Sequence, residues 1–228
     1  MTEIYGIKLL DDLRFLEVKG ILSAHLPNDS SLKAERFRNT SDIQRKMLGE
    51  LMIRTILSAK YRVPPDKIEF EYSENDKPSL KSYNNIHFNI SHSGEWVVCA
   101  FAEAPVGIDV EKIRKVNFGI ARRFFSEEEI NDLFSLPEHD QTDHFFDLWT
   151  VKESYLKAIG TGLTRSLSSF TVRFHPNDVH LIEDQHRVEV FIQSFKIDRR
   201  HKLSVCSFEN KFVPGFQQLF IDDLLGLC

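Results

Sequence analysis

The sequence predicts an α+β protein made of two similar, pseudo-twofold-related halves, residues 1–104 and 105–228, each a small antiparallel sheet packed on one long helix, with a site where the halves meet. Three observations predict it. Short apolar or alternating runs bounded by Gly and Pro mark strands. Two stretches with apolar residues at helical spacing mark long helices. The halves also resemble each other at a nearly constant offset: Tyr5-Gly-Ile-Lys-Leu matches Val106-Gly-Ile-Asp-Val at 101, and the helix from Leu48 matches that from Leu148 at 100.

Taken in order, Ile4 to Leu10 reads as a strand, and Leu13, Leu16 and Leu22 suggest a helical stretch after it. A helix is expected from Ser41 to Tyr61, capped by Ser41 or Thr40, with Met47, Leu48, Leu51, Met52, Ile56 and Leu57 as its apolar stripe. Pro64-Pro65 ends it. Ile68 to Tyr72 and Ile86 to Ile90 alternate as half-buried strands on either side of a loop at Asn75 to Pro78. Ser91 to Gly94 reads as a tight turn into the apolar run Trp96 to Phe101, and Ala104-Pro105 turns the chain into Val106 to Glu111. These three strands should form an antiparallel meander.

In the second half, Ser126 with Glu129 is a capping box that opens a short helix to Phe134. A long helix from Gln141 to Ile159 is stopped by Gly160-Thr-Gly162. Strands are expected at Phe170 to Phe174, Val188 to Phe195 and Leu203 to Phe208. The 19 Phe residues, against 5 Tyr and 2 Trp, are expected to pack the cores.

Composition excludes several classes. With 228 residues, 42% hydrophobic and 28% charged, the chain can bury about 70% of its unfolded surface without a metal or disulfide staple. A formal charge of −5, from 29 basic and 34 acidic residues, argues against a surface-wide nucleic-acid footprint. Cys99, Cys206 and Cys228 form no CxxC pair and read as reduced thiols of a cytoplasmic protein, Cys228 as an exposed thiol without a role. The segment MTEIYGIKLL lacks the regions of a signal peptide, and no run approaches the roughly 18 apolar residues of a membrane span. Neither a nucleic acid nor a membrane is an expected partner.

Chemistry is concentrated in a few places. In Gly107-Ile-Asp-Val-Glu111 the strand period puts Asp109 and Glu111 on one face and Ile108 and Val110 on the other. Two neighbouring carboxylates repel unless they are solvated, share a proton or hold a hard cation such as Mg²⁺. On the helix to Ile159, Lys152 falls inside the stripe of Phe145, Leu148, Trp149, Tyr155, Leu156 and Ile159, which is costly unless it snorkels or pairs. Glu153 and Lys157, four residues apart, flank that stripe: they form either a surface pair or a third metal carboxylate and a phosphate ligand.

The turn Asn89-Ile-Ser-His-Ser-Gly94 offers a hydroxyl, an imidazole and amides, suited to a phosphate or simply to a hairpin. The window Lys112 to Phe125 holds five basic residues and no acid, interleaved with Ile, Val and Phe, which suits either solvent or an acidic, partly apolar partner. Lys33, Arg36, Arg38, Arg45 and Lys46 form a second basic cluster around the start of the first long helix.

Asn89-Ile-Ser-His-Ser-Gly94, Gly107-Ile-Asp-Val-Glu111 and Trp149-Thr-Val-Lys-Glu-Ser-Tyr-Leu-Lys157, in this order and spacing, closely resemble the 4′-phosphopantetheinyl transferases of the surfactin-synthetase-activating type. The resemblance covers nearly the whole chain, including Arg122-Arg-Phe-Phe-Ser126 and Lys77-Pro78. It implies that family's fold and the transfer of the phosphopantetheine arm of coenzyme A to a serine of an apo peptidyl or acyl carrier protein, by a monomer serving non-ribosomal peptide or related synthesis. By the family pattern Asp109, Glu111 and Glu153 would ligate Mg²⁺. Glu153, or Glu111 through a water, would take the serine proton, and Lys157 would neutralise phosphoryl charge. Lys33, Arg45, Lys46, Lys77, Ser91 and His92 would hold the nucleotide and phosphates of coenzyme A. Lys112, Arg114, Lys115, Phe118, Arg122 and Arg123 would dock the carrier. The sequence departs from the pattern at Ser30-Ser31, where a basic residue is frequent, and at Asp76, which replaces the glycine before Lys-Pro. A Mg²⁺-dependent nuclease and a non-catalytic carrier-binding module are the alternatives that the acid cluster and the basic window leave open.

Overall fold

The alternation of strand-period and helix-period segments resolves, over the described residues 1–226 of a computed structural model, into β1 (Glu3–Lys8), α1 (Asp12–Ala24), α2 (Asn28–Glu35), α3 (Thr40–Ala59), β2 (Phe70–Tyr72), β3 (Pro78–Leu80), β4 (His87–Ser93), β5 (Trp96–Ala102), β6 (Val106–Lys112), α4 (Gly119–Phe124), α5 (Glu127–Ser135), α6 (Glu138–Ile159), β7 (Thr171–His175), β8 (Asp178–Glu183), β9 (His186–Arg187), β10 (Phe191–Phe195), β11 (His201–Ser207), β12 (Gln217–Leu219) and α7 (Ile221–Gly226). The expectation for Cys228 lies outside the described residues. No helix among them is long and apolar enough to cross a membrane.

Two sheets share one connectivity. In the first, β1 pairs antiparallel with β5, which pairs with β4; in the second, β6 pairs antiparallel with β11, which pairs with β10. The apolar stripe of α3, including Leu48, Leu51 and Met52, packs on the first sheet against Ile7, Cys99 and Phe101. That of α6, including Leu148, Val151 and Tyr155, forms a second core with Cys206. A third core, with Ile4, Val98, Ile108 and Val205, lies between the sheets. The end of the chain crosses back: β12 runs parallel to β1, and Ile221 and Leu224 of α7 join the first core.

Several expectations are corrected. Residues 91–94 are not a turn: β4 continues to Ser93, and the turn is Gly94-Glu95. The meander does not form, because β6 leaves the ladder after β5 and pairs with β11. α3 starts at Thr40 behind Asn39, and α6 starts at Glu138 behind Pro137. On α1, Leu13 and Leu16 are 78% and 67% exposed, while Phe15, Val18 and Leu22 face the core. The capping box of Ser126 and Glu129 is present, and Gly160 ends α6 at φ 74°, a conformation that favours glycine.

The sheets meet along β4 and β6 through side chains. The amides of Ile108, Val110 and Lys112 donate to Asn89 Oδ1 (2.9 Å), Ser91 Oγ (3.3 Å) and Ser93 Oγ (3.0 Å). Every second residue of β4 thus satisfies an edge N–H of β6 that would otherwise be buried without a partner.

A candidate active site at the seam between the sheets

Position 107 sets the distance between β6 and α6. A Cβ there would lie 2.0 Å from the carbonyl oxygen of Ser154 and 2.3 Å from the amide of Ala158, so the helix rests on bare backbone. Asp109 and Glu111 follow on the same strand face, opposite Ser204 and Lys202 of β11. Lys202 confirms which face this is, since it reaches Asp143 and Asp147 on α6. The close approach brings Glu153 and Lys157 of α6 to the two strand carboxylates.

The Lys157 ammonium donates to Asp109 Oδ1 at 2.6 Å and to Ser91 Oγ at 2.9 Å. Ser91 donates in turn to Asp109 Oδ1 at 3.0 Å, and Ser93 to Glu111 Oε2 at 2.8 Å. Each serine therefore accepts a strand amide and donates to a carboxylate, and Ser91, which also accepts from Lys157, uses its full hydrogen-bonding capacity. Asp109 Oδ2 is buried without a hydrogen-bond partner. Among the described residues no hydrogen bond reaches the Glu153 carboxylate.

Charge accumulates here at a cost. Burial pushes the Glu153 carboxyl up to about 7, aided by the charges of Asp109 and Glu111 and opposed by Lys157. Burial also raises Asp109 against the pull of Lys157, and raises Glu111 against its bond from Ser93. Three acids held above their ordinary range, around an oxygen without a partner, form a site that a cation or a proton would stabilise.

On one side of the seam a cavity of about 300 Å³ is lined by Arg45, Lys46, His92, Phe88, Asp76 and Pro78 among others. The Arg45 guanidinium is fixed by Asp42 (2.7 Å) and the carbonyl of Gly94 (2.7 Å), and its Nε is buried without a partner. Desolvation, with the cations of Arg45 and Lys157 nearby, holds His92 below its ordinary value. The cavity thus sets Arg45, Lys46 and His92, interspersed with the carboxylates of Asp42, Glu50 and Asp76, against apolar walls. A second, smaller groove of about 110 Å³ is lined by Glu111, Arg114, Lys115, Ile120 and Trp149 among others.

The expected site residues divide accordingly. Asp109, Ser91 and Lys157 touch one another, while Arg45, Lys46 and His92 line the cavity. Lys33 lies exposed on α2, outside the cavity lining. The Lys77 ammonium points away from the cavity, into the carbonyl end of α6. Of the expected docking residues, Arg114 and Lys115 line the groove. Lys112 is instead paired with Glu95, and the Phe118 ring packs edge-on against Phe134 and Phe145. Arg122 and Arg123 stack on Phe134 and Phe124. The supporting role of Ser93 escaped the sequence reading, although its period-two spacing from Asn89 and Ser91 was the available signal.

A second acidic group, Glu95, Asp198 and His201, has potential ligand atoms within 4.8 Å of one another. Lys112 and Arg200 already neutralise Glu95, and Trp96 Nε1 and His201 Nδ1 occupy Asp198, so this group clasps the Gly94-Glu95 turn to β11.

Comparison with known proteins identifies the family. The family model of the 4′-phosphopantetheinyl transferase superfamily matches residues 105–206, and that of the 4′-phosphopantetheinyl transferase N-terminal region matches residues 18–104. The chain is 36% identical over 225 residues to 4′-phosphopantetheinyl transferase Sfp of Bacillus subtilis (strain 168), covering 98% of this chain and 100% of that one. It is 38% identical over 227 residues to 4′-phosphopantetheinyl transferase psf-1 of Bacillus pumilus, covering 98% and 97%. With 4′-phosphopantetheinyl transferase gsp of Aneurinibacillus migulanus the identity is 36% over 228 residues, covering 100% and 95%. Full-length similarity at this level places the chain in the family of Sfp-type 4′-phosphopantetheinyl transferases.

Proposed function

We propose that this enzyme binds coenzyme A in the Arg45–His92 cavity and transfers its phosphopantetheine arm to a serine of an apo peptidyl or acyl carrier docked at the Arg114–Lys115 groove. The observation that carries the reading is the acid cluster joined to Lys157 and Ser91, with Glu111 lining the groove and Ser91 next in the chain to His92 of the cavity wall. The carrier hydroxyl oxygen forms a bond to the pantetheine-side phosphorus as the pyrophosphate bridge breaks, and adenosine 3′,5′-bisphosphate leaves. Glu153 takes the serine proton, and Lys157 faces the charge on the transferred phosphoryl and the leaving group. Such a reaction depends mostly on positioning and charge neutralisation, which this arrangement of fixed groups is built to supply.

The residues fit a Mg²⁺ ion. Asp109, Glu111 and Glu153 offer only hard oxygen donors, Asp109 Oδ2 is buried without a partner, and Ser91 and Ser93 hold the two strand carboxylates in place. Bound there, the ion would neutralise pyrophosphate charge. We infer further that the site lies between two structurally similar halves of one chain, so that a monomer suffices, and that the enzyme works in the cytoplasm.

Incubation with coenzyme A, Mg²⁺ and an apo peptidyl carrier domain should add the phosphopantetheine mass to the carrier. No mass gain with carriers from peptide, polyketide and fatty-acid synthesis would overturn the assignment. Exchanging both Arg114 and Lys115 for Glu should raise KM for the carrier about tenfold or more and leave KM for coenzyme A within about twofold. An equal effect on both substrates would remove the groove from docking.

A further inference from the structure

The loop between β2 and β3 reaches across the seam and ends on the catalytic helix. It closes on itself through bonds from the Ser73 amide to the Lys77 carbonyl and from the Asp76 amide to the Ser73 carbonyl, both 3.0 Å. Asp76 takes φ 57°, which glycine accepts freely and Asp tolerates. This left-handed residue turns the chain so that Asp76 and Pro78 face the cavity while Lys77 between them faces away. The Lys77 ammonium donates to the carbonyls of Lys157 (2.5 Å), Ala158 (3.1 Å) and Val106 (3.3 Å), and Asn75 Nδ2 donates to that of Gly160 (3.0 Å).

These acceptors are not arbitrary. Carbonyls in the last turn of a helix lack helical partners and carry the negative end of its dipole, so a cation there is favoured. Val106 lies at the start of the strand that carries Asp109, and Lys157 and Ala158 lie on the helix that carries Glu153. One ammonium therefore ties the start of β6 to the last turn of α6. We propose that Lys77 is a positioning residue that sets the spacing of β6 and α6, and with it the geometry of Asp109 against Glu153 and Lys157, from between Asp76 and Pro78, which line the cavity.

The proposal rests on the transfer reaction proposed above. Burial pulls the Lys77 ammonium down to about 8, so it remains charged at neutral pH and the three carbonyls keep a cationic donor. Because it holds carbonyls and not phosphate, its loss should affect the chemical step more than nucleotide affinity. A small displacement of reacting groups is enough to lower a rate by one or two orders of magnitude.

The test is Lys77→Met, which keeps the side-chain length and removes the donors, assayed well below its Tm beside the unsubstituted enzyme. We expect kcat to fall about tenfold or more, with KM for coenzyme A and the calorimetric Kd for adenosine 3′,5′-bisphosphate changed less than about threefold. A kcat within about twofold of the unsubstituted enzyme reduces Lys77 to a purely structural anchor and overturns the proposal. So does an unchanged kcat with a Kd weakened about tenfold, the signature of a phosphate ligand. Should Lys77→Met not fold, Asn75→Ala carries the test. A kcat loss of about two- to fivefold at constant KM supports the positioning role, and an unchanged kcat counts against it. An unsubstituted enzyme that transfers nothing overturns the functional reading and this proposal with it, whereas an active enzyme indifferent to both substitutions overturns the proposal alone.

Discussion

Lys157 holds Oδ1 of Asp109 at 2.6 Å from the facing helix, while Oδ2 of the same carboxylate is buried with no partner. The lysine satisfies one oxygen of a buried acid and leaves the other unpartnered. The Asp109 side chain is 6% exposed and that of Lys157 28%, so the pair is screened by solvent mainly on the lysine side.

Removing the acid charge should therefore uncouple metal binding from folding. Asp109→Asn is expected to remain folded, because it removes a buried charge, and to lower transfer by about 10²–10³. In the unsubstituted protein Mg²⁺ should raise the Tm by mass action on the native state. The substitution should abolish that rise, and a rise that survives would exclude Asp109 as a ligand.

The raised carboxyl of Glu153 predicts the pH dependence of metal-free stability. Between its ordinary value near 4.5 and its native value of about 7, the native state keeps a proton that the unfolded chain has released. Stability then falls as pH rises through that window, and the loss is complete above it. Glu153→Gln removes this penalty, so in EDTA at pH 8 it should be roughly 1–3 kcal/mol more stable than the unsubstituted protein, or several degrees in Tm. Near pH 4.5 the two should match. A calorimetric difference of equal size at both pH values would contradict this.

A second buried pair supports the helix from behind. Lys152 and Glu129 meet at 2.7 Å with side chains 0% and 1% exposed, and Lys152 also donates to the carbonyls of Leu167 and Phe170. Lys152→Met strands the carboxylate and should cost about 3–5 kcal/mol by urea denaturation. Adding Glu129→Gln should recover part of that cost. A single substitution within about 0.5 kcal/mol of the unsubstituted protein would show that the pair contributes nothing.

At Gly107 a single methyl should matter. Gly107→Ala drives a Cβ into the backbone of α6 at Ser154 and Ala158. Helix and strand must separate, at a cost of about 3 kcal/mol. Protein that still folds should lose transfer far more than nucleotide binding, because the cavity is walled mainly by α3 and the first sheet while the acids straddle the β6–α6 contact. Full activity in a folded Gly107→Ala protein would contradict this reading of the contact.

Much of this architecture was legible. The stripes of α3 and α6, the capping box at Ser126 and the paired carboxylates of β6 all follow from local periods that need no knowledge of neighbours. Lys152 announced its burial by falling inside an apolar stripe. Its partner Glu129 did not, because that contact joins two helices. Asn89, Ser91 and Ser93 resembled turn residues since they are small and polar, yet those properties also let side chains replace a neighbouring strand. The meander failed for a related reason: a tight connection shows that β5 and β6 are consecutive, not that they pair.

The sequence by itself determined which candidate groups this protein carries: three acids on a strand and a helix, a lysine one helical turn past the last of them, and motifs whose order resembles that of the family. Only the tertiary structure decided how those groups are used. Packing of α6 on Gly107 made a site of Asp109, Glu153 and Lys157, the seam assigned Ser91 and Ser93 to hold carboxylates, and the left-handed Asp76 turned Lys77 from the cavity to a helix end. Periodicity tells which face of its own element a side chain occupies. The opposite face is supplied by segments distant in the chain, and their approach is set by sterics and by the need to satisfy buried polar groups.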